Sequence, residues 1–561
     1  MQNIKKTTFK IGMPLESGTC YYGDKSEYHI YLKDTVNTSG YGYTKQTDEL
    51  LTAFFLKDLA NVTLDLGGAA LIFHGRIAPF VMTNCQNITL KNFSIDYDRP
   101  FYTQGEILEA DSTHLKLRIS DGFPYRVRNG VFYAVSETWE QPFDQHNMLF
   151  QPYDAKTRSP AYAAGCILAV VGPEADDKNP PLPIHHLSLA EGTDGSILFY
   201  GDFPATYKAG QVLTMTHEPR DKNAILVEHS QNILVENVRL IHAAAMGFVG
   251  MFSENITLKN FDMYLDEKTK GLISINADSV HCFHCTGKIR IEDCIFENML
   301  DDAINIHGNY TRVTAADKNE ITAHVAAAGL DTIKWYKKGD ILNIYRGKTQ
   351  EMNGSYTVLS ADYPRDREIV VRFDRPVDAA AGDLIENTAM PYIEIRRCKT
   401  GRNRPRGFLL SSGGKTLVED CFFNNCSCAI HFTGDTTYWY ESGPVRDVTI
   451  RHCHFYDCGY CGSDYAIMAT PEVEVTENAL YYHKHITITD NVFESFSRGA
   501  LYANKTEHIT FKGNKYIDTT SYPQRLIDRV KLDNCGNCEI ETGETSSNDH
   551  AIVRTPWIEQ N

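Results

Sequence analysis

The sequence predicts an all-β fold, a right-handed parallel β-helix (solenoid) carrying two inserted antiparallel β-barrel or sandwich domains. Two observations carry this expectation: a six-residue segment that recurs along the chain, and two long gaps in which the recurrence stops. The segment reads apolar or β-branched, any, apolar or β-branched, any, Asn/Asp or similar, then Cys, Phe or Val. Examples are Ile88-Thr89-Leu90-Lys91-Asn92-Phe93 and Ile289-Arg290-Ile291-Glu292-Asp293-Cys294. Further copies begin at Ile233, Ile256, Ile393, Thr416, Val448, Ile486 and Ile509, and several neighbours lie 23 residues apart. A period of that length with short alternating strands is what a parallel β-helix requires, each coil resting about 4.8 Å above the last.

Each element follows in order. Residues 1–96 hold an N-terminal cap and the first coils. Between Thr47 and Leu59 the apolar residues Leu50, Leu51, Phe54, Phe55 and Leu59 fall at helical spacing. This predicts an amphipathic helix covering the open end of the stack, where an uncovered edge invites aggregation. Residues 97–223 lack the rhythm but alternate as strands do, for example His114-Leu115-Lys116-Leu117-Arg118-Ile119, and form the first inserted domain. Residues 224–311 return to coils. Residues 312–390, with Glu368-Ile369-Val370-Val371-Arg372-Phe373, form the second insertion, and 391–561 complete the coils and tail. Cys294, Cys398, Cys421 and Cys453 share one phase of the repeat and read as a buried ladder of thiols, because free Cys packs as a small hydrophobe.

Composition narrows the function. The sum of 55 Lys+Arg against 72 Asp+Glu leaves −17, a field that repels phosphate backbones and anionic membrane surfaces. Neither nucleic acid nor membrane is expected as a partner, and no stretch approaches 18 consecutive apolar residues. The first ten residues have no apolar h-region, so a cytoplasmic location is expected unless the sequence was trimmed. The 15 cysteines cannot all pair internally, and the Cys-x-x-Cys pairs at Cys282/Cys285, Cys458/Cys461 and Cys535/Cys538 are too scattered for one zinc site. No metal or other cofactor is expected.

The chemistry gathers between Gly271 and Gly308. Asp278-Ser279-Val280-His281-Cys282 and Asp302-Ala303-Ile304-Asn305-Ile306 lie 24 residues apart, one coil. Stacking puts Asp278 beside Asp302 and His281 beside Asn305, and Asp301 adds a third carboxylate. Three like charges on one patch raise at least one pKa, which a general acid requires. Arg406-Gly407-Phe408-Leu409 aligns with the same strand, and Cys428-Ala429-Ile430-His431 follows it. A stripe of Asp278, Asp302 and Arg406 flanked by His281, Asn305, His307 and His431 offers hydrogen bonds to sugar hydroxyls, and Tyr438, Trp439 and Tyr440 offer apolar faces to the ring. Among these, His281, Asn305, His307, Arg406, His431 and Trp439 are the candidate substrate-binding residues.

The run Asn276-Ala277-Asp278-Ser279-Val280-His281, with Asp301-Asp302-Ala303-Ile304-Asn305-Ile306-His307-Gly308 and Gly401-Arg402-Asn403-Arg404-Pro405-Arg406-Gly407, resembles glycoside hydrolase family 110. These are exo-acting α-1,3-galactosidases built on a parallel β-helix with inserted β-barrels. The resemblance covers about residues 25–540. It implies Asp301 as proton donor, Asp278 and Asp302 as the groups that activate water, inversion at the anomeric carbon, and an oligosaccharide or glycoconjugate substrate of blood-group-B or linear α-galactosyl type. It also implies a homodimer. Inverting pairs usually stand about 6.5–9.5 Å apart. The three-Asp layout also resembles polygalacturonases, although their Arg-x-Lys is missing at one coil's distance. A calcium-dependent polysaccharide lyase or a non-catalytic carbohydrate-binding solenoid are the alternatives from other classes.

Overall fold

The computed structural model describes residues 5–41, 49–144, 148–172, 184–217, 220, 222–266, 269, 271–326, 333–472 and 481–543. Within them the repeat segments stack in a single register. Ile233 pairs with Ile88, Ile256 with Ile233, Ile289 with Ile256, Ile393 with Ile289, Thr416 with Ile393, Val448 with Thr416, Ile486 with Val448 and Ile509 with Ile486. The pairing is parallel throughout. A second parallel stack, holding the strands Val280–Phe283, Ile304–Asn309 and Phe408–Ser411, runs along another face of the solenoid. One continuous core joins the stacks, with Ile88, Ile256 and Ile393 packed in the same cluster as Phe80, Val280 and Ile304.

The fifth position of the repeat turns the chain. Asn92, Asn237, Asn260, Asp293, Arg397, Asp420, His452 and Asp490 all have φ between 46° and 59°, and Gly513 has φ of 68°. This left-handed corner costs most L-residues about 1–2 kcal/mol, which is why Asn, Asp and Gly recur there. The amides also bond along the axis: Asn92 donates to Asp65, Asn237 to Asn92 and Asn260 to Asn237, at 2.8, 3.0 and 2.9 Å. Asn237→Val strains the corner and breaks the ladder on both sides. We expect a loss of about 2 kcal/mol in urea unfolding, with Asn237→Gly losing less.

The sixth position points inward. Cys294, Cys398, Cys421 and Cys453 are buried, and each thiol donates to the carbonyl two residues earlier, at 3.2 to 3.4 Å. In the last two coils Asn491 and Asn514 take over, donating to the Ile450 and Ile488 carbonyls. The ladder is therefore structural, and all 15 cysteines are free thiols.

Both rhythm gaps fold as closed barrels. Seven strands from Tyr102–Ala110 to Val212–Thr216 close the first, and six from Thr311–Asp317 to Leu384–Asn387 close the second. The coils continue across each insertion without losing register, since Gln231–Leu240 stacks directly on Gln86–Tyr97. The second barrel packs Ile321, Trp335 and Ile344 onto Leu226, Val249 and Phe283, the outward side chains of the second stack. The first barrel packs Tyr102, Phe123 and Leu149 onto Leu272, Ile273 and Leu300.

The expected N-terminal helix is a strand. Leu51–Lys57 pairs in parallel with Ala78–Thr83, with Thr52, Phe54 and Leu56 buried; Thr47 lies outside the described residues. The misreading has a physical cause. Phe54 and Leu56 face the solenoid core while Phe55 packs against the second barrel's cluster, so both faces are apolar and the pattern mimics a helix. Lys5–Thr8 instead ends the stack, a four-residue strand whose exposed Lys5 and Lys6 blunt the edge.

Candidate active site

Strand pairing places the site. Val280 pairs with Ile304 and Ile304 with Phe408, so Asp278, Asp302 and Arg406 stand two residues before the strands on three consecutive rungs. The main chain holds them there, with Ser279 N–H donating to the Asp302 carbonyl at 3.0 Å. Gly407 is needed for the close approach, because a Cβ there would lie 2.3 Å from the Ala429 carbonyl oxygen. Asn403 fixes the neighbouring loop by donating to the carbonyls of Asp301 and Arg406.

Asp278, Asp301 and Asp302 each bring one oxygen within 4.8 Å of the others, the one such group of three among the described residues. Each carboxylate meets cations that the chain itself supplies. Arg406 grips both oxygens of Asp302 at 2.9 Å. Arg220 lies 2.5 Å from Asp301, and Arg404 reaches its other oxygen at 3.5 Å. His281 Nδ1 lies 2.7 Å from Asp278. Only Asp301 meets solvent appreciably, its side chain 16% exposed against 6% for Asp278 and 2% for Asp302.

These surroundings divide the protons. Burial pushes Asp302 up to about 7; Arg406 opposes the rise and the charges of Asp301 and Asp278 add to it. Burial would also raise Asp301, but Arg220, Arg404 and Arg406 outweigh it and hold that carboxyl down at about 2. Between these two carboxyls a proton therefore favours Asp302 in the free site, whereas the family resemblance implies Asp301 as donor.

The other expected residues divide into three groups. His281 and His307 join the site from behind, their Nε2 atoms 3.0 Å apart, with His307 Nδ1 2.5 Å from the Gly308 carbonyl. All four ring nitrogens thus have partners within the protein. Asn305 pairs with His281 across the stack, is buried, and keeps an Oδ1 with no hydrogen-bond partner among the described residues. His431 is two rungs further along; it meets Thr470 Oγ1 at 2.8 Å, and burial with Arg406 nearby lowers it to about 3. Trp439 is 55% exposed and edge-on to Tyr438, on a loop whose amides from Thr437 to Tyr440 donate to Asp435.

Sequence reasoning missed Arg220 and Glu441. Arg220 comes from the return of the first barrel, 81 residues from Asp301, and Glu441 Oε1 reaches to 3.6 Å from His307 Nε2. Neither lies on a repeated rung, so no period marks them. Arg404 was visible in the run from Arg402 to Arg406 but lacked a rung to distinguish it from a solvated charge.

Comparison with known proteins agrees with this architecture. Residues 103–213 match the GLAA-B beta-barrel domain I family and residues 378–516 the right handed beta helix region. Alpha-1,3-galactosidase B of Bacteroides thetaiotaomicron is 30% identical over 503 residues, covering 88% of this chain and 79% of the relative. Alpha-1,3-galactosidase A of Shewanella woodyi is 31% identical over 489 residues, 84% and 76% of the two chains. An alpha-1,3-galactosidase B of Phocaeicola vulgatus aligns over 588 residues at 28% identity, covering 99% and 92%. Among solved structures, a hyperthermoactive exopolygalacturonase from Thermotoga maritima aligns at a TM-score of 0.32 and 8% identity, over 92% of this chain and 80% of that one. That likeness is too distant to bear on function. The chain belongs to the α-1,3-galactosidase family, glycoside hydrolase family 110, and is a galactosidase-type glycoside hydrolase whose substrate is a carbohydrate.

Proposed function

We propose that the chain removes terminal α-1,3-linked galactose from glycans by exo-acting, metal-independent hydrolysis with inversion. The carrying observation is the carboxylate trio, of which Asp301 alone reaches solvent. A glycosidic oxygen entering there meets Asp301 first. Arg220, 43% exposed, leaves Asp301 at little cost when substrate enters between them. Without that cation Asp301 takes the shared proton and passes it to the departing oxygen. Water adds its oxygen to the anomeric carbon and gives its proton to Asp278 or Asp302, so two hydroxyls form and one glycosidic bond breaks. The unpartnered Asn305 Oδ1 is an acceptor for a sugar hydroxyl.

Inversion is supported by enclosure. Both Asp302 oxygens are held by Arg406, and Asp278 gives one to His281. Asp302 therefore offers no open oxygen to bond a ring carbon, and the 6%-exposed Asp278 leaves its remaining oxygen within reach of a small water more readily than of a sugar ring. The close gathering of three carboxylates also admits a second reading, a retaining double displacement, in which the two carboxyls usually lie about 5–5.5 Å apart. Proton NMR of the sugar released from an α-1,3-galactosyl disaccharide decides between them. We expect β-galactose first, at a rate unchanged by EDTA. α-Galactose first establishes retention, and loss of activity with EDTA that calcium restores establishes a cation site.

A further inference from the structure

Behind the trio runs a line of three short contacts that fixes a proton count. Asp278 Oδ2 lies 2.7 Å from His281 Nδ1, His281 Nε2 lies 3.0 Å from His307 Nε2, and His307 Nδ1 lies 2.5 Å from the Gly308 carbonyl oxygen. All three side chains are buried, so water does not fill a missing bond. A carbonyl oxygen only accepts, hence His307 Nδ1 carries a proton. Two ring nitrogens at 3.0 Å need one proton between them, since facing lone pairs repel. The contact from Nδ1 to Oδ2 needs another for the same reason. Three contacts hold three protons, whereas two neutral imidazoles with an ionised carboxylate hold two.

We infer that Asp278, His281 and His307 share one proton beyond those of two neutral rings, and that His307 is a positioning residue that keeps it on His281, facing Asp278. With its own Nδ1 proton committed to Gly308, His307 presents a lone pair to His281 Nε2–H, which leaves Nδ1–H for Asp278. Stacking of Phe283 on His307, with centroids 5.9 Å apart, holds the ring in that attitude. The charged groups around the pair agree. Asp278, Asp302 and Glu441 face His281; Glu441, Asp278 and His281 itself face His307, and the neighbouring His284 is neutral, lowered by burial to about 3. Burial pulls both rings down, but for His281 Asp278 leads a set of charges that reverses the shift, and for His307 it does not.

The functional meaning rests on the hydrolase proposed above. An imidazolium against Oδ2 anchors Asp278 by that oxygen and leaves Oδ1 to take a proton from water. It also adds one cation to a wall that Arg220, Arg404 and Arg406 already line.

A neutron crystal structure of the deuterated chain near pH 7 reads the count directly. We expect deuterons on both nitrogens of His281 and on Nδ1 alone of His307. A single deuteron on His281 beside an ionised Asp278 overturns the inference whatever the enzyme does. Kinetics gives a second reading. His307→Phe keeps a planar ring but loses the acceptor, and we expect kcat to fall about tenfold, KM to change less than twofold, and the acid limb of kcat/KM to rise by about one pH unit. His307→Gln, whose amide oxygen accepts from His281 Nε2–H, restores most of the loss. A wild-type pH profile in His307→Phe contradicts the positioning role. A wild-type chain that cleaves no α-galactoside defeats the hydrolase proposal alone and leaves the neutron result standing.

Discussion

Asp301→Asn is expected to lower kcat on an α-1,3-linked galactosyl disaccharide by about 10²–10⁴, the range that a positioned general acid supplies. The substitution is nearly isosteric, so the fold and the hydrogen bond from Asn403 to the residue's carbonyl remain. The decisive comparison uses an aryl galactoside, whose phenolate departs without protonation. There the loss shrinks, because only the transfer to the leaving oxygen has been removed. The parent enzyme's kcat/KM should fall as pH rises through about 7, where the free site gives up the proton held by Asp302, and Asp301→Asn should flatten that limb. An equal loss on both substrates with an unchanged profile would falsify the assignment of Asp301 as donor.

Arg406→Met should produce the largest change in stability. The guanidinium spans both oxygens of a carboxylate that is 2% exposed, and its removal leaves a buried charge without a partner. Losses of about 3–5 kcal/mol follow when one member of such a pair is removed. The pH dependence has a definite sign. Asp302 binds its proton more tightly folded, at about 7, than unfolded, at about 3.9. The stabilisation from that proton is complete below the unfolded value and is lost as pH rises through the folded one. Arg406 opposes protonation, so without it the folded value climbs further and a neutral Asp302 persists at pH 5. Urea unfolding should therefore show a small penalty at pH 5 and a large one at pH 8. Equal penalties at both would mean that the lost contact is packing and not charge.

Much of this wall was legible in the sequence because a solenoid turns distance along the chain into stacking. An offset of 24 residues between Asp278 and Asp302 becomes adjacency, and the left-handed corner confines position five to Asn, Asp, Gly and a few others. The periodic signal fails where two surfaces cover one strand. Leu51–Lys57 has apolar residues on both faces and reads as a helix. It fails again where a partner arrives from outside the repeat, as Arg220 and Glu441 do. Trp439 could be placed on a loop by its sequence but not oriented: it stands 55% exposed on a loop whose amides Asp435 gathers.

The second barrel also sets the order in which the wall can be completed. Asp302 and Arg406 are neighbours in space but 104 residues apart in the chain, with that barrel between them. Synthesis from the N-terminus makes the acidic coils before Arg406, so Asp302 gains its guanidinium only once the whole insertion has been made. Closing a span of that length costs about 1.3 kcal/mol more entropy than closing a single 23-residue winding. A ready-folded barrel shortens the effective span, so the insertion that interrupts the coils also helps to bring the last charge home.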